Sequence, residues 1–169
     1  MSYRVVNYAL FQAGWFACVW AGAHGRAGVG PAAVAAIALV HLAMIADKKA
    51  ELLLVAAAVL LGPWVDFALV RAGALSYPNA VGPAWPAPDW IIALWALLAM
   101  TARHCLGWLR GRYGAAAVLG ALGGPLSYAA GARMGALRFG SGTWPILEMG
   151  LAWGLAMPGI FLLAEATGG

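Results

Sequence analysis

Residues 60–75 read LLGPWVDFALVRAGAL, and residues 122–137, which lie 62 positions later, read LGGPLSYAAGARMGAL. Eight of the sixteen positions are identical, and the least common matches among them are Pro63/Pro125 and Arg71/Arg133. Shared Ala, Gly and Leu carry little weight in a chain this rich in them, but a proline and an arginine at one offset carry more. The pattern predicts a parallel internal repeat in a multi-pass membrane protein.

The composition places the whole chain in a membrane. It is 64% hydrophobic and 9% charged, whereas soluble domains are about 25% charged. A length of 169 residues fits a single integral-membrane domain, 1–169. The net charge of +4 comes without a basic run that interleaves with aromatic residues, so a nucleic-acid partner is not expected. The two cysteines form neither a CxxC nor a metal-binding pattern.

Six apolar stretches are long enough to cross about 30 Å of hydrocarbon at about 20 residues each. The predicted helices cover 5–23, 28–46, 51–70, 89–109, 114–134 and 145–164. Two hairpins then form the repeat, the second helix with the third and the fourth with the fifth. Glycines spaced four apart in the last two helices, such as Gly120/Gly124, indicate tight packing there. The predicted fold class is all-α, a polytopic bundle of six transmembrane helices.

The distribution of Lys and Arg predicts that both termini are cytoplasmic. In this orientation five basic residues lie at the inner face and three at the outer face, a modest positive-inside bias. The inner residues are Arg4, Lys48, Lys49, Arg110 and Arg112, and the outer residues are Arg26, Arg71 and Arg138.

Polar residues gather near the predicted outer end of the bundle. Asp66 stands about 6 Å from the outer end of the third predicted helix. A carboxylate at that depth costs a few kcal/mol unless it is paired, hydrated or protonated, so it should face the bundle interior. Tyr128 occupies the equivalent position of the repeat, and Arg133 and Glu148 lie at the same level. The group predicts either an outward-facing polar site or an interfacial ion pair that orients helices.

A second polar layer lies near the predicted inner end, where His41 and His104 stand at matching depths. Thr101, His104 and Trp108 share one face of the fourth predicted helix through their i, i+3, i+7 spacing. Two level histidines suit haem ligation, acid–base chemistry or interhelical hydrogen bonds. No third ligand with metal-site spacing accompanies them, so haem is disfavoured, no metal site is predicted, and the cofactor stays unknown.

The candidate site residues follow from these two layers. The candidates for catalysis are Asp66, His104 and Gln12. The candidates for binding are His41, Arg103, Thr101, Tyr128, Arg133, Glu148 and Trp15.

Three stretches together resemble an uncharacterised bacterial family of small inner-membrane proteins, a domain of unknown function. They are FQAGWFACV (11–19), LWALLAMTARHCLGWL (94–109) and GGPLSYAAGARMGA (123–136). The resemblance runs nearly end to end and implies a bacterial inner-membrane protein of about this length. It departs from the family pattern at Arg103, where Asn is usual. The resemblance supplies no activity and tilts the expectation mildly toward lipid metabolism.

Three functions remain open at this point. The first is an enzyme or accessory subunit that acts on a membrane lipid or isoprenoid. The second is a small-solute transporter, which the parallel repeat and the paired prolines favour. The third is a structural partner of another membrane protein, which the small-residue seams favour. The expected partners are the lipid bilayer, a lipid substrate, and a second copy of the chain or another membrane protein.

Overall fold

The computed structural model describes residues 3–81, 86–141 and 144–168. Within them the chain forms an all-α bundle with one small sheet. The helices are α1 Tyr3–Ala23, α2 Val29–Met44, α3 Lys48–Leu61, α4 Pro63–Arg71, α5 Asp89–Ala99, α6 Tyr113–Arg133 and α7 Pro145–Ala166. The strands are β1 Leu75–Ser76 and β2 Arg138–Phe139, which pair antiparallel.

Helices α3 and α4 form one nearly continuous segment, so the described part of the chain contains six helical segments, which match the six that the sequence predicts. Gly62 joins them with helical dihedral angles, and its N–H donates to the carbonyl of Ala58 at 2.8 Å. Pro63 then takes the first position of α4, where a residue without an N–H is well tolerated. Pro125 lies inside α6 without dividing it.

Three of the segments are long and apolar enough to span a membrane by length and composition, namely Lys48–Arg71, Tyr113–Arg133 and Pro145–Ala166. Large apolar side chains cover their outer faces, and Leu60, Leu126 and Leu155 are each at least 70% exposed. Such exposure is costly in water, where contiguous apolar patches are small. Lipid tails are the solvent that suits this surface.

Helix α5 lies at the centre of the bundle, where it packs against α1, α2 and α3. Its Trp90, Trp95 and Leu97 are all at most 5% exposed. Helix α6 packs along α7 instead, and this close pairing confirms the prediction from the glycine spacing. A Cβ atom at Gly120 would lie 2.2 Å from the Trp153 carbonyl oxygen, so only glycine fits there.

The predicted helix 89–109 is wrong beyond Ala99. The chain makes turns after Met100 and a single 3-10 turn at Gly107–Leu109. The shared face of Thr101, His104 and Trp108 therefore does not exist, and Trp108 is 52% exposed.

The side chain of Asn7 on α1 explains this break. Its Nδ2 donates to the Met100 carbonyl at 2.9 Å, and its Oδ1 accepts from the Cys105 N–H at 3.2 Å. A regular helix would satisfy both backbone groups internally, whereas here one buried amide does so. The sequence pattern of apolar residues does not reveal that a side chain takes the place of the helical hydrogen bonds.

The segments that contain the two repeated stretches end in the same way. Gly73 and Gly135, which are 62 positions apart, both have positive φ, at 75° and 87°. The Ala74 N–H then donates to Leu69 at 2.9 Å, and the Ala136 N–H donates to Gly131 at 3.0 Å. These are Schellman-type ends that glycine allows. After its end, each segment continues into one strand of the sheet, α4 into β1 and α6 into β2.

Replacing Asn7 with Ala should lower the free energy of unfolding by about 1–3 kcal/mol, because two backbone groups lose their partner. Chemical denaturation in detergent micelles measures this loss. Gln12→Ala, an amide on the same helix that donates to the exposed Tyr8 hydroxyl, should change stability by less than about 0.5 kcal/mol. Equal losses in both variants would contradict the proposed cause of the helix break.

Two adjacent glycines on α6 give a second test. A Cβ at Gly124 would lie 2.4 Å from Cγ of Trp153, whereas a Cβ at Gly123 would meet nothing within 4 Å. Gly124→Ala should therefore cost about 1–3 kcal/mol. Gly123→Ala should be neutral or stabilise by up to about 1 kcal/mol through helix propensity. Thermal unfolding that shows no difference between the two would refute this packing.

Candidate functional site

Asp66 is fully buried, as the sequence predicted, and three side chains surround its carboxylate. Oδ1 accepts from the Tyr77 hydroxyl at 2.6 Å and from the Tyr128 hydroxyl at 2.5 Å. Oδ2 accepts from Nε1 of Trp95 at 2.8 Å. These four residues, which we name the aspartate cluster, join α4, the loop after β1, α5 and α6. Three donors to one carboxylate replace the water that it loses on burial.

Tyr77 reaches Asp66 because the chain turns back after α4 into strand β1. Burial and the charge of Asp66 raise the pKa of Tyr77 well above its usual value. The phenol consequently stays protonated and remains a donor. Tyr77 is the member of the cluster with the weakest sequence signal, since it lies in a loop without periodicity.

The indole of Trp95 continues the cluster into an aromatic stack. Its ring lies parallel to that of Trp153 on α7, with centroids 4.9 Å apart and an interplanar angle of 4°. Gly62 lies against Trp95 and Gly124 lies against Trp153, so closely that a Cβ at either glycine would overlap the ring. The two glycines are 62 positions apart, like the other matching residues of the two stretches. The stack therefore joins the two stretches that the sequence relates.

A cavity of about 540 Å³ adjoins this stack. Its wall is mostly apolar and aromatic, and the polar side chains among the described lining residues, apart from the tryptophans, are Gln12, Asp66, Ser127 and Tyr128. Trp15 also lines it and donates through Nε1 to Oγ of Ser127 at 3.0 Å, which ties α1 to α6. A cavity of this size and composition is typical of a site for a small apolar ligand.

A second group lies at the other end of the bundle and is named the histidine cluster: Tyr3, Asn7, His41, Glu51, Arg103 and His104. Nε2 of His41 lies 2.9 Å from Oε1 of Glu51, and Nε2 of His104 lies 3.6 Å from the same oxygen. The two imidazoles meet edge to face with centroids 5.0 Å apart. His41 and His104 were predicted to lie at the same depth, and in the structure their rings are in direct contact.

Glu51 is the residue that the sequence reasoning missed. It follows His41 by ten residues, across the short turn between α2 and α3, and is 1% exposed. The sequence did contain one signal for it: Glu51 lies in the first turn of α3, and His41 lies in the last turn of the preceding helix, α2. Charges at helix starts are commonly solvated, so the pattern alone did not distinguish it.

The catalytic candidates do not come together. Glu51 and Asp66 are 15 residues apart on the nearly continuous α3–α4 segment, which separates the two clusters by about 22 Å. His104 belongs to the histidine cluster and Asp66 to the aspartate cluster. Gln12 lies on the cavity wall, where its Nε2 donates to Tyr8 at 2.7 Å.

Two of the remaining binding candidates lie at the aspartate cluster and its cavity, and three lie in neither cluster. Tyr128 and Trp15 belong to the aspartate cluster and the cavity. Thr101 is 1% exposed, and its hydroxyl donates a hydrogen bond to the Leu98 carbonyl at 2.6 Å. Arg133 is exposed and Glu148 is half-buried, and within the described residues no hydrogen bond or ion pair joins either to Asp66.

Asp66→Asn should lower the free energy of unfolding by about 1–3 kcal/mol or more. One carboxylate oxygen becomes an NH2 group, which cannot accept a hydrogen bond from the donor that faces it. Asp47→Asn is the matched control. Asp47 caps α3 by accepting from the Ala50 N–H at 3.0 Å, and Asn caps a helix equally well. Denaturant titrations of both variants check this. An Asp66→Asn protein as stable as the control would show that the donors do not depend on the charge.

A sequence profile of one protein family, described as Protein of unknown function (DUF2878), matches residues 4–159. The match covers most of the chain, including both clusters except for Tyr3. No curated protein and no solved structure matches the chain. The chain belongs to the DUF2878 family of proteins of unknown function.

Proposed function

We propose that the protein holds a lipid or isoprenoid chain in its cavity and serves as an enzyme or accessory subunit in membrane-lipid or isoprenoid metabolism. The observation that carries this proposal is the cavity of about 540 Å³, apolar along most of its wall and bordered by the aspartate cluster. Ligand sites of about 300–1,000 Å³ with few polar groups bind small apolar molecules.

The distribution of polar groups along the wall favours an amphipathic ligand. Ser127 and Gln12 lie on the α1–α6 side, whereas Asp66 and Tyr128 border the aromatic stack. Leu126 lines the same cavity and is 70% exposed, so the wall continues onto the outer surface of the bundle. An apolar tail fits between the aromatic rings, with its polar group near one of these hydroxyl or amide groups.

The aspartate cluster supports binding and positioning more than acid–base chemistry. Both oxygens of Asp66 already accept hydrogen bonds from Tyr77, Trp95 and Tyr128. A carboxylate held by three donors is a weakened general base, because three of its roughly four lone-pair sites are already occupied. Asp66 instead fixes the Tyr128 hydroxyl and the Trp95 ring, which form the cavity wall.

The location in the bacterial inner membrane, with both termini in the cytoplasm, is part of the same proposal. The supports are three helices that can span a membrane, the exposed leucines and the Lys and Arg distribution. The lipid bilayer is then the source of the ligand. A second copy of the chain or another membrane protein remains a proposed partner.

A small-solute transporter is the second candidate, and one observation favours it. Ser76 pairs with Arg138 in the sheet, and these residues are separated by the same 62 positions as the repeated stretches. An antiparallel pair centred on equivalent residues suits a pseudo-two-fold axis, which parallel repeats of transporters have. We keep the repeat itself as a proposal, together with the alternative of a structural partner.

Comparison of lipid extracts from membranes with and without the gene tests the proposed function. A lipid or isoprenoid species that accumulates or disappears supports a metabolic protein. Unchanged lipid profiles, together with a lost uptake of a solute, would favour the transporter.

Gly123→Leu should reduce the amount of lipid that copurifies with the protein, because Gly123 lines the cavity and open space lies beside it. Gly114→Leu, on the same helix and also without neighbours within 4 Å, is not among the residues that line the cavity and should retain the lipid. Mass spectrometry of lipids extracted from purified protein measures both. Equal lipid content in the two variants would contradict occupancy of the cavity.

A further inference from the structure

We propose that His41, Glu51 and His104 bind one divalent transition-metal ion, Zn²⁺ or Fe²⁺, at the histidine cluster. One ligand atom from each residue lies within 4.8 Å of the others. Two imidazoles and one carboxylate are the protein ligands of many catalytic zinc sites and of mononuclear iron(II) sites. Glu51 supplies the third ligand, which the sequence spacing of the histidines does not reveal.

The distances between ligand atoms suit a metal ion. Ligands at about 2.0–2.1 Å from a tetrahedral zinc lie about 3.4 Å apart. The two separations from Oε1 of Glu51 are 2.9 Å to His41 and 3.6 Å to His104, which lie on either side of that value. The third separation, between the ligand atoms of the two histidines, is at most 4.8 Å, so binding requires side-chain rotations that bring the imidazoles closer together.

Nε2 of His104 is the atom that most needs a ligand. It is buried and has no hydrogen-bond partner. Its separation of 3.6 Å from Glu51 exceeds hydrogen-bonding distance. A buried ring nitrogen without a partner is destabilising, and a metal ion between His104 and Glu51 would use its lone pair.

The surroundings of His41 resemble those of a metal ligand. The Tyr3 hydroxyl lies 2.6 Å from Nδ1, the ring nitrogen that faces away from Glu51. Metal-binding histidines almost always have a partner on the second nitrogen, which fixes the ring and its tautomer. With metal on Nε2, Nδ1–H donates to Tyr3.

Arg103 contacts Glu51 but is not one of the proposed metal ligands. Its Nη1 lies 3.4 Å from Oε2 of Glu51, so the other oxygen, Oε1, faces the histidines. Its Nη2 donates to the Ala164 carbonyl and to Thr167 Oγ1, both at 2.7 Å. The guanidinium thus orients the carboxylate from the far side. The His104 side chain is the most exposed of the three ligands, at 18% against 1% for His41 and 2% for Glu51.

Metal content of the purified full chain tests this proposal. The protein is stripped with a chelator in detergent and dialysed against Zn²⁺, or against Fe²⁺ without oxygen, and its metal is measured by mass spectrometry. The wild type should bind about one ion per chain. His104→Ala and Glu51→Gln should weaken binding at least about tenfold, since even a second-shell loss costs about 10–100-fold. Tyr3→Phe should fall within that second-shell range.

His24→Ala is the matched control, because His24 bonds to the Trp20 carbonyl on α1 and lies outside the cluster. It should bind metal as the wild type does. His104→Cys keeps three ligands and should give a thiolate-to-metal charge-transfer band when Co²⁺ is added, which separates a lost ligand from a lost fold. A wild type that binds neither ion, or a His104→Ala protein that binds as well as His24→Ala, would overturn the proposal.

Discussion

The buried carboxylate of Asp66 is the constraint on which much of the structure depends. A charge inside a membrane protein needs partners, because lipid offers none. Asp66 finds three donors on three different parts of the chain, Tyr77, Trp95 and Tyr128. The loop after α4 must turn back, α5 must lie central, and α6 must lie near α4 for all three to reach it. One side chain thereby fixes the relative positions of four elements.

The aromatic stack transmits the same constraint to α7. Trp95 is held by Asp66 on its N–H and by Trp153 on its face. Gly62 and Gly124 allow the helices to approach these rings, since any larger residue would overlap them. Membrane helices associate largely through such close packing rather than through a hydrophobic effect. The cavity lies beside this stack, and both indoles line it.

In the histidine cluster too, buried polar groups find partners on distant parts of the chain. Asn7 satisfies the backbone where α5 stops, and the freed segment carries Arg103 and His104 toward Glu51. A continuous helix would fix these two side chains about 100° apart around its axis. The break therefore creates the cluster. Irregular backbone at membrane depth is tolerated where protein groups satisfy it, and such places often serve function.

The sequence by itself determined the membrane class, the number of helical segments and the burial of Asp66. Apolar length and the cost of a charge in lipid are local properties, so they can be read without coordinates. It also indicated that His41 and His104 lie level and that α6 packs tightly against α7. Only the tertiary structure decided that the fourth predicted helix stops at Ala99, since the cause is Asn7, which lies 93 residues before its hydrogen-bond partner Met100. The tertiary structure likewise chose the partners of each polar group, placing Glu51 between the histidines and keeping Arg133 away from Asp66. Hydrogen bonds between distant segments depend on three-dimensional distance and direction, which residue spacing along a chain does not encode.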